Sequence, residues 1–287
     1  MQDTEPIHSL CITPSASHLV VFTGSLSLRI YELPGGTEPL KQRVSPIRVI
    51  GRAHEAPVHV CKADPTSTYL ASGSADGVVK VWDILRGYVT HVFKGHGGVV
   101  SALAWNYPRD GTSITQTRSM HLITASVDTR IRIFNLLDGA STSSGGGKPE
   151  AVLEGHVSVP RGLDVSPDGR WLVSGGRDSV VLVWDLAPPV PTKAASSNKK
   201  KSKGTLSPAL IRTIPTLERV EAVGLLLDEN GVASKQAGDI RFYTGGAKGV
   251  VKIWDIKQGE VLKTFGHEAT SSESEEGEEQ RQISDML

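Results

Sequence analysis

One pattern recurs along the 287-residue chain, and it limits the possible folds more than any single residue does. The segments "YLASGSADGVVKVWDI" (69–84), "HLITASVDTRIRIFNL" (121–136), "WLVSGGRDSVVLVWDL" (171–186) and "RFYTGGAKGVVKIWDI" (241–256) align on their last aromatic. A fainter fifth copy is "HLVVFTGSLSLRIYEL" (18–33). Each reads as an apolar run, a tight turn, and a second run alternating apolar with polar. β-Branched residues at period two predict half-buried strands. Two such strands joined by a short turn containing Gly or Asp make a hairpin. A unit repeated at this scale is the mark of a repeat architecture.

Upstream of three hairpins stands Ala-His or Gly-His: "AHEAPVHV" (53–60), "GHGGVVSAL" (95–103) and "GHVSVPRGL" (155–163). Each leads into a further apolar strand. A fourth strand falls between the terminal Trp-Asp and the next Gly-His, in "YVTHVFKGH" (88–96), "AVLEGH" (151–156) and "VLKTFGH" (261–267). The repeating unit is therefore four antiparallel strands, and the chain is all-β. Abundant glycine, 30 residues, suits so many turns.

Polar residues keep step with the strands. His54 precedes Asp76 by 22 residues and Trp82 by 28, and His156 stands at the same distances from Asp178 and Trp184. Ser72 and Ser174 each lie 18 beyond their histidine. The third copy keeps Thr124, Asp128 and Phe134 in register, with His96 ten residues further off because "RDGTSITQTRS" (109–119) lengthens a loop. These groups suit a hydrogen-bond chain. An indole N–H donates to a hydroxyl, the hydroxyl to an imidazole, and the other imidazole nitrogen to a carboxylate. Removing one member would strand the others. In the fifth copy Thr244 and Trp254 remain, but Lys248 takes the aspartate's place and no Gly-His precedes it. In the first, Tyr31 replaces tryptophan and Ser25 replaces aspartate.

Serine, histidine and aspartate together also raise a catalytic triad. A nucleophile, however, needs one exposed and activated position. Here the set is tied to a repeat and includes an indole, so the chain reads as no enzyme. It has no GxxxxGK[ST], no HExxH and only two cysteines, Cys11 and Cys61, so no cofactor or metal is expected. His8 and His59 lie 51 apart, as do Pro14 and Pro65, and look like equivalent strand positions. Trp105 and Trp171 fall outside the recurring set and read as packing residues, with partner contact the alternative for Trp171. Thirty-one basic residues balance 31 acidic ones, which gives no push toward a membrane or nucleic acid.

Gly-His, the turn aspartate and the terminal Trp-Asp resemble the WD-repeat β-propellers, whose four-stranded blades stand radially around a channel. More particularly, "RGYVTHVFKGHGGVVSAL" (86–103), "GHVSVPRGL", "SGGRDSVVLVWDL" and "IRTIPTLERVEAVGLLL" (211–227) resemble the family of transducin-β-like protein three. Its fungal counterpart is the thirteenth U-three-associated protein of the UtpB complex. The resemblance implies a non-catalytic scaffold of the small-subunit processome in the nucleolus. Its partners would be other UtpB WD-repeat proteins and, indirectly or through backbone contacts, precursor ribosomal RNA with the U-three ribonucleoprotein. No small-molecule substrate is implied. The alternative is a WD-repeat adaptor of another machine, such as a ubiquitin-ligase substrate receptor.

Family members carry two tandem propellers and a helical domain. Here five hairpins are legible over 1–267, as in an incomplete seven-bladed propeller, and the chain looks like a fragment with strand edges left unpaired. A Gly/Ser-rich loop covers 138–150. The insertion 187–208 begins with prolines and ends basic. It reads as disordered, with Lys199, Lys200, Lys201 and Lys203 as a candidate import signal or RNA-phosphate contact. The acidic tail, 268–287, has too few apolar residues to fold alone.

Overall fold

The computed structural model describes residues 5–34, 44–107, 120–137, 147–186, 206, 208–226 and 240–266. The regular elements among them are all strands, in five sheets of four, each antiparallel and in sequence order. Blade 1 is β1 (Ile7–Ile12), β2 (His18–Thr23), β3 (Leu28–Glu32) and β4 (Arg48–Ile50). Blade 2 is β5 (Val58–Ala63), β6 (Tyr69–Ser74), β7 (Val79–Asp83) and β8 (Val89–Phe93). Blade 3 is β9 (Val100–Asn106), β10 (His121–Ser126), β11 (Ile131–Asn135) and β12 (Ala151–Leu153). Blade 4 is β13 (Pro160–Val165), β14 (Trp171–Gly176), β15 (Val180–Asp185) and β16 (Ala209–Pro215). Blade 5 is β17 (Val220–Leu226), β18 (Arg241–Gly246), β19 (Val251–Asp255) and β20 (Val261–Phe265).

The central hairpin of each blade closes through a turn whose penultimate residue has a left-handed backbone. Gly77 (φ 76°) and Gly249 (φ 78°) fill it in blades 2 and 5. Leu26 (61°), Thr129 (67°) and Ser179 (61°) are forced into it elsewhere. First strands of consecutive blades lie against one another, β1 with β5, β5 with β9, β9 with β13 and β13 with β17. Each first strand also carries a bulge near its start, at His8, His59, Ser101, Arg161 and Glu221. A bulge sharpens twist and re-aims the extra side chain. His8 and His59 are therefore equivalent, and both are exposed.

Four apolar cores lie between the five blades. Val20, Leu28 and Ile30 of blade 1 meet Cys61, Ala63, Leu70 and Trp82 of blade 2. The same positions recur as Ala71, Val79 and Val81 against Leu103, Trp105, Leu122 and Phe134. They recur again as Ile123, Ile131 and Ile133 against Leu163, Leu172 and Trp184, and as Val173, Val181 and Val183 against Val223, Leu225, Phe242 and Trp254. One face of each blade thus receives the other face of the next. Burying one such aliphatic side chain is worth about 1.5–3 kcal/mol.

The end blades depart from this. Leu10 and Ile12, the register equivalents of Leu103 and Trp105, are each 56% exposed, against 3% and 7%. On blade 5, Tyr243 and Val251 are 38% and 39% exposed where Val173 and Val181 are fully buried. The expectation of unpaired strand edges is thereby corrected. All four strands are present in each blade, and the uncovered surfaces are two sheet faces.

Candidate functional site

The recurring polar residues meet at the junction where each connector enters its blade. In blade 4 all four are joined. The Trp184 indole N–H donates to Ser174 Oγ at 3.0 Å, and Ser174 Oγ lies 2.9 Å from His156 Nε2. His156 Nδ1 is 2.8 Å from Asp178 Oδ2, which also accepts the Val157 N–H at 3.0 Å. The tautomer follows from these partners: Nδ1–H donates to the carboxylate, and Nε2 accepts the serine hydroxyl. Register explains the meeting. Ser174 pairs with Leu182 and Leu172 with Trp184, which sets serine and indole diagonally on one face. Burial lowers the His156 pKa despite Asp178.

Blade 3 keeps the histidine and carboxylate but has no indole. His96 Nε2 is 2.7 Å from Thr124 Oγ1, and its Nδ1 is 3.3 Å from Asp128 Oδ2. Phe134 cannot donate; it stacks on Phe93 with ring centroids 4.4 Å apart. Arg132 Nη1 reaches Asp128 Oδ2 at 2.7 Å, and the Gly97 N–H donates to the same oxygen at 2.9 Å. Burial and the Arg132 charge push the His96 pKa down to about 4. Burial opposes ionisation of Asp128, but hydrogen bonds from Gly97, Arg132 and Arg130 outweigh it and hold its pKa low.

Blade 2 corrects the sequence reading. His54 Nε2 lies 2.7 Å from Ser72 Oγ, and Trp82 Nε1 donates to that oxygen at 2.8 Å. Asp76, however, makes no hydrogen bond to His54. Its carboxylate is exposed and accepts the Val78 N–H at 2.8 Å within the turn. His54 Nδ1 is buried without a partner among the described residues. Where the Gly97 and Val157 N–H groups bond the aspartates of blades 3 and 4, the corresponding residue of blade 2 is Glu55, and Asp76 instead accepts the Val78 N–H. Burial and the nearby Lys80 ammonium push the His54 pKa down to about 4.

In blade 5 the Trp254 indole N–H donates to Thr244 Oγ1 at 2.8 Å, and Thr216 occupies the histidine's place. Here a second device appears that the motif search missed. Lys252, the cross-strand partner of Thr244, lies 2.9 Å from Glu218, two residues before β17. Blade 1 repeats it: Arg29 pairs with Val21 across the strands and lies 3.0 Å from Glu5, two residues before β1. The same β-position holds Lys80 in blade 2, whose Nζ donates to the Ala53 carbonyl at 2.7 Å, and Arg132 in blade 3. Only blade 4, with its complete network, has an apolar residue there, Leu182. The signal lay in the sequence as a cation eight residues beyond the hydroxyl position, with an acid two residues ahead of the first strand.

The remaining candidates are scattered. Trp105 Nε1 donates to the Lys62 carbonyl at 3.0 Å, across a blade boundary. Trp171 is buried, with the Arg170 guanidinium 4.7 Å from its ring centroid. His121 Nε2 is 2.9 Å from Glu150, and His91 Nε2 is 3.0 Å from the Leu136 carbonyl. Among the described residues no three His, Cys, Asp or Glu side chains converge as metal ligands. Lys199, Lys200, Lys201 and Lys203, His267 and the 268–287 tail lie outside the described residues, as does nearly all of 187–208.

Comparison with known proteins agrees with this architecture. The family described as WD domain, G-beta repeat matches residues 45–83, 87–135 and 147–185, each match ending on the last residue of a third strand. The chain is a WD-repeat protein whose five sheets are blades of an incomplete β-propeller. Among particular proteins, it is 32% identical over 265 residues to transducin beta-like protein 3 of Rattus norvegicus, covering 92% of this chain and 28% of the relative. It is 30% identical over 268 residues to U3 small nucleolar RNA-associated protein 13 of Saccharomyces cerevisiae, covering 91% and 27%. Nuclear distribution protein nudF of Emericella nidulans is 26% identical over 255 residues, covering 75% and 54%. The chain thus spans little more than a quarter of the length of the first two relatives.

Proposed function

We propose that this chain is a non-catalytic scaffold in ribosome biogenesis, acting in the nucleolus as part of a UtpB-type assembly on 18S precursor RNA. The observation that carries this reading is similarity over nine-tenths of the chain to a protein named for its association with U3 small nucleolar RNA. Weaker similarity to nuclear distribution proteins leaves a WD-repeat adaptor of another machine as the second reading.

The histidine–hydroxyl–carboxylate sets serve as braces. Ser174 has no solvent exposure, and its oxygen is engaged by both the Trp184 N–H and His156. A nucleophile so enclosed cannot meet a substrate. Rigid blades instead hold loops at fixed positions for partners. Affinity purification of the chain from growing cells tests the proposal. Recovery of other WD-repeat proteins of a UtpB-type complex with precursor ribosomal RNA supports it. Recovery of a ubiquitin ligase or a nuclear-distribution complex without that RNA overturns it.

A further inference from the structure

The two cysteines stand 50 positions apart in sequence but share one interblade core. Cys11 lies on β1 and Cys61 on β5, the neighbouring first strands of blades 1 and 2. Ser9, on the same face of β1 as Cys11, donates its hydroxyl to Cys61 Sγ at 3.2 Å. Cys11 packs against the same core that holds Cys61. Both thiols are free, Cys61 buried and Cys11 half-buried.

We propose that Cys11 and Cys61 are a redox modification site, oxidised by hydrogen peroxide to an intramolecular disulfide that ties blade 1 to blade 2. One thiol of the pair ionises, and its thiolate attacks one peroxide oxygen. The O–O bond breaks and hydroxide leaves, giving a sulfenic acid. The second sulfur then attacks the oxidised one. The S–O bond breaks, and the hydroxyl departs as water with the second thiol's proton. Two thiols and one peroxide yield one disulfide and two waters.

The location gives the bond a consequence. Blade 1 is covered on one face only and has neither the histidine nor the indole of the recurring network, so its hold on blade 2 is the join a cross-link reinforces. The test uses the whole reduced chain, treated with peroxide, alkylated and digested without reductant. The expected product is one linked peptide pair containing Cys11 and Cys61, with both titratable thiols lost together. Its Tm should rise, and dithiothreitol should reverse the rise. In Cys11→Ser the linked pair should be absent and the peroxide-induced rise in Tm lost. Thiols that persist, or disulfides that form only between molecules, would each overturn the proposal. The linked-peptide readout needs no variant, so it stands even if a substituted chain fails to fold.

Discussion

Blades 4 and 5 solve one mechanical problem with different chemistry. Each must fasten the connector entering it to its own central hairpin. Blade 4 uses neutral and charge-assisted hydrogen bonds through His156, with Leu182 filling the cross-strand position. Blade 5 lacks the histidine and uses the Glu218–Lys252 ion pair, with Lys252 in the position of Leu182. Blade 1, also without the histidine, repeats the ion pair through Glu5 and Arg29. The two devices occupy the same place and substitute for one another. Blade 2 stands between them: it keeps histidine, serine and tryptophan, places Lys80 at the cation position, and leaves Asp76 out.

The largest expected effect comes from the indole that anchors blade 4. Trp184→Ala removes a buried ring from the core against blade 3 and a donor from Ser174, and should cost about 3–5 kcal/mol in urea unfolding. Acid titration comes next. His54 and His96 have folded pKa values near 4, below the ordinary 6.5. The unfolded chain therefore takes up protons before the folded one does. Stability should be intact above pH 6.5, fall as pH drops toward about 4, and lose nothing further from these groups below that. Each histidine contributes on the order of 3 kcal/mol to that fall. His54→Gln should flatten the slope in equilibrium unfolding measured across that window.

Breaking the ion pair sharpens the comparison. Lys252→Met leaves Glu218 largely buried without its cation and should cost about 2 kcal/mol, while adding Glu218→Gln should recover about half. A denaturant-unfolding cycle of the single and double variants measures this. The smallest effect lies in the turns: Ser179→Gly relieves a left-handed backbone and should stabilise by about 0.5–1 kcal/mol, seen as a raised Tm.

The five central hairpins were legible in the sequence because period-two alternation and turn chemistry are local. Fourth strands were legible where a Gly-His closes them, as at 88–96, 151–156 and 261–267. β4 and β16 were missed because no Gly-His follows them: Ala53-His54 follows β4, and Thr216 stands at the histidine position after β16. The His–Ser–Asp–Trp spacing brought its members to one junction in blade 4. In blade 2 it could not foresee that Asp76 stays in its turn, because the carboxylate there accepts the Val78 N–H instead. The Glu–cation pairs escaped notice since their two residues lie 24 and 34 apart in the two blades that have them, so no fixed spacing announces them. The Cys11–Cys61 pairing was likewise hidden, because it depends on how one blade stacks on the next.

The central claim is that each recurring carboxylate counts only where it holds its histidine. Paired thermal and urea unfolding of Asp178→Ala and Asp76→Ala tests it most directly. Loss of the Asp178 carboxylate strands His156 Nδ1 and the Val157 N–H, and should cost about 2–4 kcal/mol. Loss of the Asp76 carboxylate should stay within about 0.5 kcal/mol. Equal losses at the two positions, or an unchanged Tm for Asp178→Ala, would contradict the account.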